Sequence, residues 1–242
     1  MTPLVPTYIW PTDDAAFQRA LTGYSPGIAI VTGDNSGPGT FRSVTLANRI
    51  HWLGDRSWGS IGYVPLNYMK RPLLDIAADV ARWRAWYPTI EGIFFDECPT
   101  TVTGALEAAR ALESMVFNDG HTCIFNAGTS VDAEWFTTLS RSIVVTFEGP
   151  ASTYAGVSAQ QHARAAHLVY GASGRIKINA GFGSSTTDGE DTDSPRNPWD
   201  ADGIAAAGVA WDADRIVDLR QPAPSASGNV IPDDRAMAPA VG

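Results

Sequence analysis

Short apolar runs rich in β-branched and aromatic residues recur along this chain, separated by stretches with helical spacing. That alternation constrains the fold more than any other feature, because strand, covering helix and next strand make a parallel βα unit. Candidate strands are Val5–Trp10, Gly27–Thr32, Ser60–Pro65, Gly92–Asp96, Thr122–Asn126, Ile143–Glu148, His167–Tyr170 and Gly208–Trp211. Runs such as Gly-Ile-Phe-Phe (92–95) are apolar at every position, as strands covered on both faces should be. A doubly wound open sheet has the same local texture. Eight runs in 242 residues match one barrel of about 250 residues. The expected class is α/β, a TIM-like (β/α)8 barrel forming a single domain over residues 1–221.

Helical patterns lie between these runs. Asp13–Leu21 follows Pro11-Thr12, a capping region. Ser43–Leu53 sets Val44, Leu46, Ala47 and Ile50 on one face. Arg71–Trp86 carries Leu74, Ile76, Ala77, Val80 and Trp83, with Pro72 in its first turn. Val102–Val116 carries Leu106, Ala109, Leu112 and Val116, and Ser158–Ala166 is a shorter candidate. Trp83 and Trp86 read as core residues. From Gly181 the texture changes: 183–195 reads as a polar loop, and 222–242 as a tail or linker rich in Pro, Ala and Ser.

Charge excludes some functions. A net charge of −9 with 17 Lys+Arg disfavours nucleic acid, which demands a concentrated basic surface. No apolar run reaches the ~20 residues that span a bilayer, so no membrane insertion is expected. Met1–Trp10 lacks the basic and apolar regions of a signal peptide. Cys98 follows one strand and Cys123 opens the next, at opposite ends of parallel neighbours, so no disulfide is expected. His51, His121, His162 and His167 lack metal-ligand spacing, and neither metal nor cofactor is expected. The acidic loop Asp188–Asp193 offers oxygens to calcium but lacks a full EF-hand pattern, and reads as solvated. Ser-Gly-Pro-Gly (36–39) lacks the Lys-Ser/Thr of a phosphate loop and reads as a turn.

The chemistry concentrates where apolar strands end in acids. Glu-Gly-Ile-Phe-Phe-Asp-Glu (91–97) ends in Asp96 and Glu97, and Val-Val-Thr-Phe-Glu (144–148) ends in Glu148. In parallel barrels the C-terminal strand ends carry catalysis. Strict alternation puts Asp96 on the face of Phe94, sends Glu97 the other way unless the strand has broken, and puts Glu148 on the face of Thr146. Asp96 and Glu148 therefore rank above Glu97. Glycoside hydrolysis needs such a pair, one acid protonating the departing oxygen and the other attacking or activating water. Capping of helices, or pairing with arginines at the rim, would use the same residues without catalysis.

Read together, Val-Pro-Thr-Tyr-Ile-Trp-Pro (5–11), Ser-Gly-Pro-Gly (36–39), Ile-Gly-Tyr-Val (61–64), Trp-Tyr-Pro (86–88), Gly-Ile-Phe-Phe-Asp-Glu (92–97), Phe-Asn-Ala-Gly (125–128) and Phe-Glu (147–148) resemble the spherulin-4-like proteins, spherulation-specific family 4. That family includes the glycoside hydrolases of family 135. The resemblance covers roughly residues 4–170. It implies a (β/α)8 barrel, endo-cleavage of α-1,4-linked galactosamine or N-acetylgalactosamine polymers, and catalytic carboxylates at Asp96, Glu97 and Glu148. Asp96 is expected as nucleophile or stabiliser and Glu148 as general acid/base, with swapped roles open. Thr-Gly-Asp-Asn (32–35), Asn-Ala-Gly (126–128) and Pro-Leu-Asn-Tyr-Met-Lys-Arg (65–71) depart from the family pattern on rim loops, which bears on the sugar recognised.

Tyr8, Trp10, Tyr63, Tyr68 and Tyr154 lie at or just beyond strand ends and are candidate sugar platforms, though packing would also place them there. Asn126 ends its strand, either to bind substrate or to stop the strand. A polysaccharide substrate makes an extracellular or virion-associated location the expectation, with attachment to a virion or cell surface through the tail. A non-catalytic carbohydrate-binding or phage tail-associated module on the same fold is the alternative.

Overall fold

The computed structural model describes residues 2–8, 14–21, 24–33, 37–101, 105–117, 120–154, 162–170 and 182–185. Within them the order is β1 (Thr2–Pro6), α1 (Asp14–Ala20), β2 (Ile28–Val31), α2 (Val44–Gly54), β3 (Gly59–Pro65), α3 (Leu73–Trp86) and β4 (Gly92–Asp96). There follow α4 (Leu106–Phe117), β5 (Thr122–Asn126), α5 (Glu134–Thr138), β6 (Ile143–Pro150), α6 (Ala151–Tyr154), β7 (Ala165–Tyr170) and β8 (Phe182–Ser185). Consecutive strands pair in parallel. β8 returns to β1, with Thr2 opposite Phe182, and closes the barrel. The architecture is α/β, with a helix described after each of the first six strands.

Local chemistry accounts for the elements. The Ser43 side chain caps α2, accepting from the Leu46 N–H at 3.2 Å. α4 buries Ala109, Leu112 and Val116 along one stripe. Its buried Glu113 accepts from the N–H and hydroxyl of Ser142, tying that helix to the start of β6. Pro72 stands at the N-cap of α3 rather than inside its first turn. α5 and α6, five and four residues long, are too short to show a helical period and were not expected.

Other expectations need correction. The run Gly208–Trp211 lies outside the described residues, and Phe182–Ser185 supplies the eighth strand. That segment begins the stretch expected as a polar loop. Phe-Gly-Ser-Ser has no apolar alternation for a sequence reading to find, and the strand pairs with both β1 and β7. β1 runs Thr2–Pro6 instead of reaching Trp10, and Ala165 and Ala166 open β7 instead of ending a helix. The acidic loop, the tail and the 221/222 boundary lie outside the described residues. Cys98 and Cys123 are both free and buried. Among the described residues no helix is long and apolar enough to cross a membrane, and no group of three His, Cys, Asp or Glu side chains is placed to hold a metal ion.

Two apolar layers sort the strand faces. Outside the barrel, Phe95 stacks on Phe125 at 5.2 Å, and Phe125 meets Trp135 of α5 at 5.9 Å. Inside, Tyr63 stacks on Phe94 at 6.2 Å. Alternation then turns Asp96, two beyond Phe94, and Asn126, one beyond Phe125, into the barrel mouth.

The third strand is fixed from outside by Trp83, which is fully buried and donates its indole N–H to the Tyr63 carbonyl at 2.9 Å. Gly62 permits this: a Cβ there would sit 2.5 Å from the indole ring. Gly62→Ala is expected to lower stability by about 1–3 kcal/mol through overpacking. Urea unfolding measures it, and an unchanged midpoint would show that the indole does not rest on this strand.

Candidate active site

Four strands bring the site together at their C-terminal ends. Asp96 ends β4 and Asn126 ends β5, Glu148 stands on β6, and Tyr63 reaches up from β3. The Asn126 side-chain nitrogen donates to Asp96 Oδ1 at 2.7 Å and to Glu148 Oε2 at 2.5 Å. Its oxygen accepts from the Gly128 N–H at 2.9 Å, which decides the amide's orientation. One nitrogen in contact with both acids holds those two oxygens no more than about 5.2 Å apart. The Gly128 carbonyl in turn accepts from the Glu148 N–H at 2.8 Å, and Gly128 has φ of 67°, a conformation glycine adopts freely.

Tyr63 donates its hydroxyl to Asp96 Oδ2 at 2.7 Å. Burial, then the Asp96 carboxylate, push its phenol far above the ordinary range, so it stays a proton donor. Tyr8, half-buried, meets Tyr63 edge-on at 5.4 Å. Its phenol is raised above the ordinary range by burial, then by the charges of Asp96 and Glu148. Of the rings expected as sugar platforms, Tyr63 thus braces Asp96, and Tyr8 packs against Tyr63. Asp96, Glu97 and Glu148 are each partly exposed, and none is sealed in the core. Among the described residues no basic side chain forms an ion pair with Asp96 or Glu97.

Glu97 departs from the strand. Its φ is 55°, its Oε2 accepts from the Asn67 N–H at 3.1 Å, and it contacts neither Asn126 nor Tyr63 by hydrogen bond among the described residues. Tyr68, from the loop after β3, is 57% exposed. Trp10 lies outside the described residues. Tyr154 is buried, with its hydroxyl on His167 Nδ1 at 2.8 Å, so it is packed away rather than offered to a ligand.

Strict alternation fails on β6. Val145 pairs with Asn126 and so faces inward, and strict alternation from it would turn Glu148 outward. A register shift between Val145 and Phe147 intervenes. The extra residue, Thr146, lets Phe147 and His167 face Tyr154 of α6 while Glu148 turns inward beside Asn126. Thr146 therefore does not share Glu148's face; its hydroxyl meets His167 Nε2 at 3.1 Å. Nothing in the single sequence announces the bulge, and the contact between His167 and Tyr154 goes unread for the same reason.

A closed parallel barrel that gathers acids on the C-terminal ends of its strands defines an α/β-barrel protein with its candidate chemistry on that rim. More narrowly, the sequence profile of spherulation-specific family 4 matches residues 3–192, and the chain belongs to that family. It is 28% identical over 149 residues to Spherulin-4 of Physarum polycephalum, a match spanning 59% of this chain and 43% of that protein. Among solved structures it is similar to Sph3 of Aspergillus clavatus in complex with GalNAc, with a TM-score of 0.65 and 18% identity over 78% of this chain and 90% of that one. That likeness shows the fold.

His167 gives the site an acid limit. Fully buried between two hydroxyls, its imidazole has its pKa lowered by burial to about 4. Above about 6.5 it is neutral folded and unfolded, and contributes no slope. Between about 6.5 and 4 only the unfolded chain takes up the proton, so stability falls with acidification, by on the order of 2–3 kcal/mol at pH 4.5. Urea unfolding at pH 7.0 and 4.5 should show the loss, and His167→Asn should reduce it. Equal losses in both chains would exclude the imidazole as the source.

Proposed function

We propose that this chain is a glycoside hydrolase, endo-acting on α-1,4-linked galactosamine or N-acetylgalactosamine polymers, with Asp96 and Glu148 as its carboxylate pair. One observation carries the reading: a single amide nitrogen touches both carboxylates at an accessible barrel mouth. Family membership and the likeness to a fold crystallised with GalNAc support the sugar class. We place the chemistry in a single (β/α)8 domain over 1–221, followed by a tail at 222–242. A polymeric substrate favours an extracellular or virion-associated location.

Oxygens no more than about 5.2 Å apart lie nearer the ~5–5.5 Å carboxyl spacing of retaining enzymes than the ~6.5–9.5 Å of inverting ones, which supports retention. In the first step Glu148 gives its proton to the departing glycosidic oxygen while Asp96 attacks the anomeric carbon. Glu148 then takes a proton from water, whose oxygen displaces Asp96 and restores both groups. Tyr63 and Asn126 hold the Asp96 oxygens in place for this attack.

Mass spectrometry of oligosaccharides released from galactosamine-containing glycans tests the activity. Asp96→Asn and Glu148→Gln are each expected to lower release about 10²–10⁴-fold while polymer binding persists. Proton NMR of the first product should show the anomer of the substrate linkage. A chain that binds polymer and releases nothing even unmodified would be a carbohydrate-binding or phage tail-associated module instead.

A further inference from the structure

The loop between β3 and α3 contains three successive non-glycine residues, Asn67, Tyr68 and Met69, with φ of 48°, 52° and 61°. Left-handed backbone costs an L-residue roughly 1–2 kcal/mol and is ordinarily visited singly. Such a run persists only where its surroundings hold it. Here the end of β4 does so. The Leu66 N–H donates to the Asp96 carbonyl at 2.9 Å, and the Asn67 N–H to Glu97 Oε2 at 3.1 Å. The Tyr68 N–H follows, donating to the Glu97 carbonyl at 2.8 Å. Three consecutive donors thus extend the β3–β4 ladder past its last pair, Pro65 opposite Asp96, with a side-chain oxygen supplying the middle rung.

Glu97 meets this loop because its own φ is 55°, which breaks the strand and turns the side chain from the path of alternation. The loop it holds carries a ring that is 57% exposed, while Met69 beside it packs against the core. The Lys70 ammonium lies 5.8 Å from that ring. A large aromatic more than half exposed on a strained loop, tied by its own N–H to the residue after Asp96, stands where a ligand at the barrel mouth can reach it.

We propose that Glu97 is a positioning residue rather than a third catalytic acid, and that it holds Tyr68 as a stacking platform for a pyranose ring beside the cleavage point. This rests on the hydrolase reading above. The chemistry recognised is the apolar C–H face of a sugar, which a rigid, exposed aromatic ring fits. Glu97 acts through the backbone N–H of Asn67, a bond that an amide oxygen can accept equally well.

Glu97→Gln, Glu97→Ala and Tyr68→Ala separate the roles. Hydrogen exchange of the 66–71 segment should quicken about tenfold in Glu97→Ala, the loss of roughly one hydrogen bond, and return toward the original rate in Glu97→Gln. On an α-1,4-linked N-acetylgalactosamine polymer, Glu97→Ala and Tyr68→Ala should each raise KM about tenfold with kcat within about threefold, and Glu97→Gln should restore KM. A Glu97→Gln chain whose kcat falls a thousandfold would make Glu97 a catalytic acid and overturn the proposal. So would unchanged exchange in Glu97→Ala, or an unchanged KM in Tyr68→Ala. If the unmodified chain cleaves no polymer, the hydrolase reading fails separately. The exchange rates then still decide the brace, and affinity of Tyr68→Ala for the same polymer decides the platform, an unchanged dissociation constant overturning it.

Discussion

The Asn126 amide sets the geometry on which the site depends. Asp96 and Glu148 stand on β4 and β6, two strands apart, and neighbouring strands lie about 4.8 Å from each other. Held upright, side chains at such positions would be separated by nearly twice that distance. Asn126 stands on the strand between and draws one oxygen of each toward its nitrogen. Its carbonyl is occupied by the Gly128 N–H, and reversing the amide would aim an acceptor at two acceptors. The orientation is therefore fixed chemically, and with it the distance between the acids.

Behind this inner arrangement is an outer one that holds β3 in place. Trp83 binds the Tyr63 carbonyl from α3, and Arg71 binds the Pro65 carbonyl at 2.6 Å while pairing with buried Asp79, also at 2.6 Å. Arg82 joins Asp79 from the other side. Removing Asp79 would leave two guanidinium groups without their shared partner at the edge of the core. These contacts touch no acid of the site. They fix the two carbonyls that flank Val64, so that Tyr63 can lie on Phe94 and reach Asp96.

What could be read from the sequence follows from these layers. The runs around Asp96 and Asn126 were legible with their boundaries because both faces are covered and every residue must be apolar until the strand leaves the core. β8 was not legible: Phe-Gly-Ser-Ser (182–185) has one apolar residue in four, too little to give a strand pattern. Asn126 was recognised as a candidate but not as the bridge, since a primary amide at a strand end looks the same whether it stops a strand or joins two acids. Tyr63 and Tyr154 were grouped as equivalent rings. Only contacts distant in sequence, with Asp96 in one case and His167 in the other, separate them.

The bulge in β6 shows how a correct placement can rest on a wrong premise. Simple alternation put Glu148 inside together with Thr146, whereas the ladder shows that Val145 occupies the inner face and that one inserted residue restores Glu148 to it. Without Thr146 as an extra residue, Glu148 would point toward the helices and Asn126 would have one acid instead of two. The inserted residue is held by its hydroxyl on His167, whose other nitrogen is held by Tyr154. A neutral imidazole donates at one nitrogen and accepts at the other, so it can satisfy both hydroxyls at once; an imidazolium cannot accept from either. The direction of Glu148 is thereby tied to the neutral state of a buried histidine on the next strand, and the outer face of β6 takes part in building a site that opens only on the inner one.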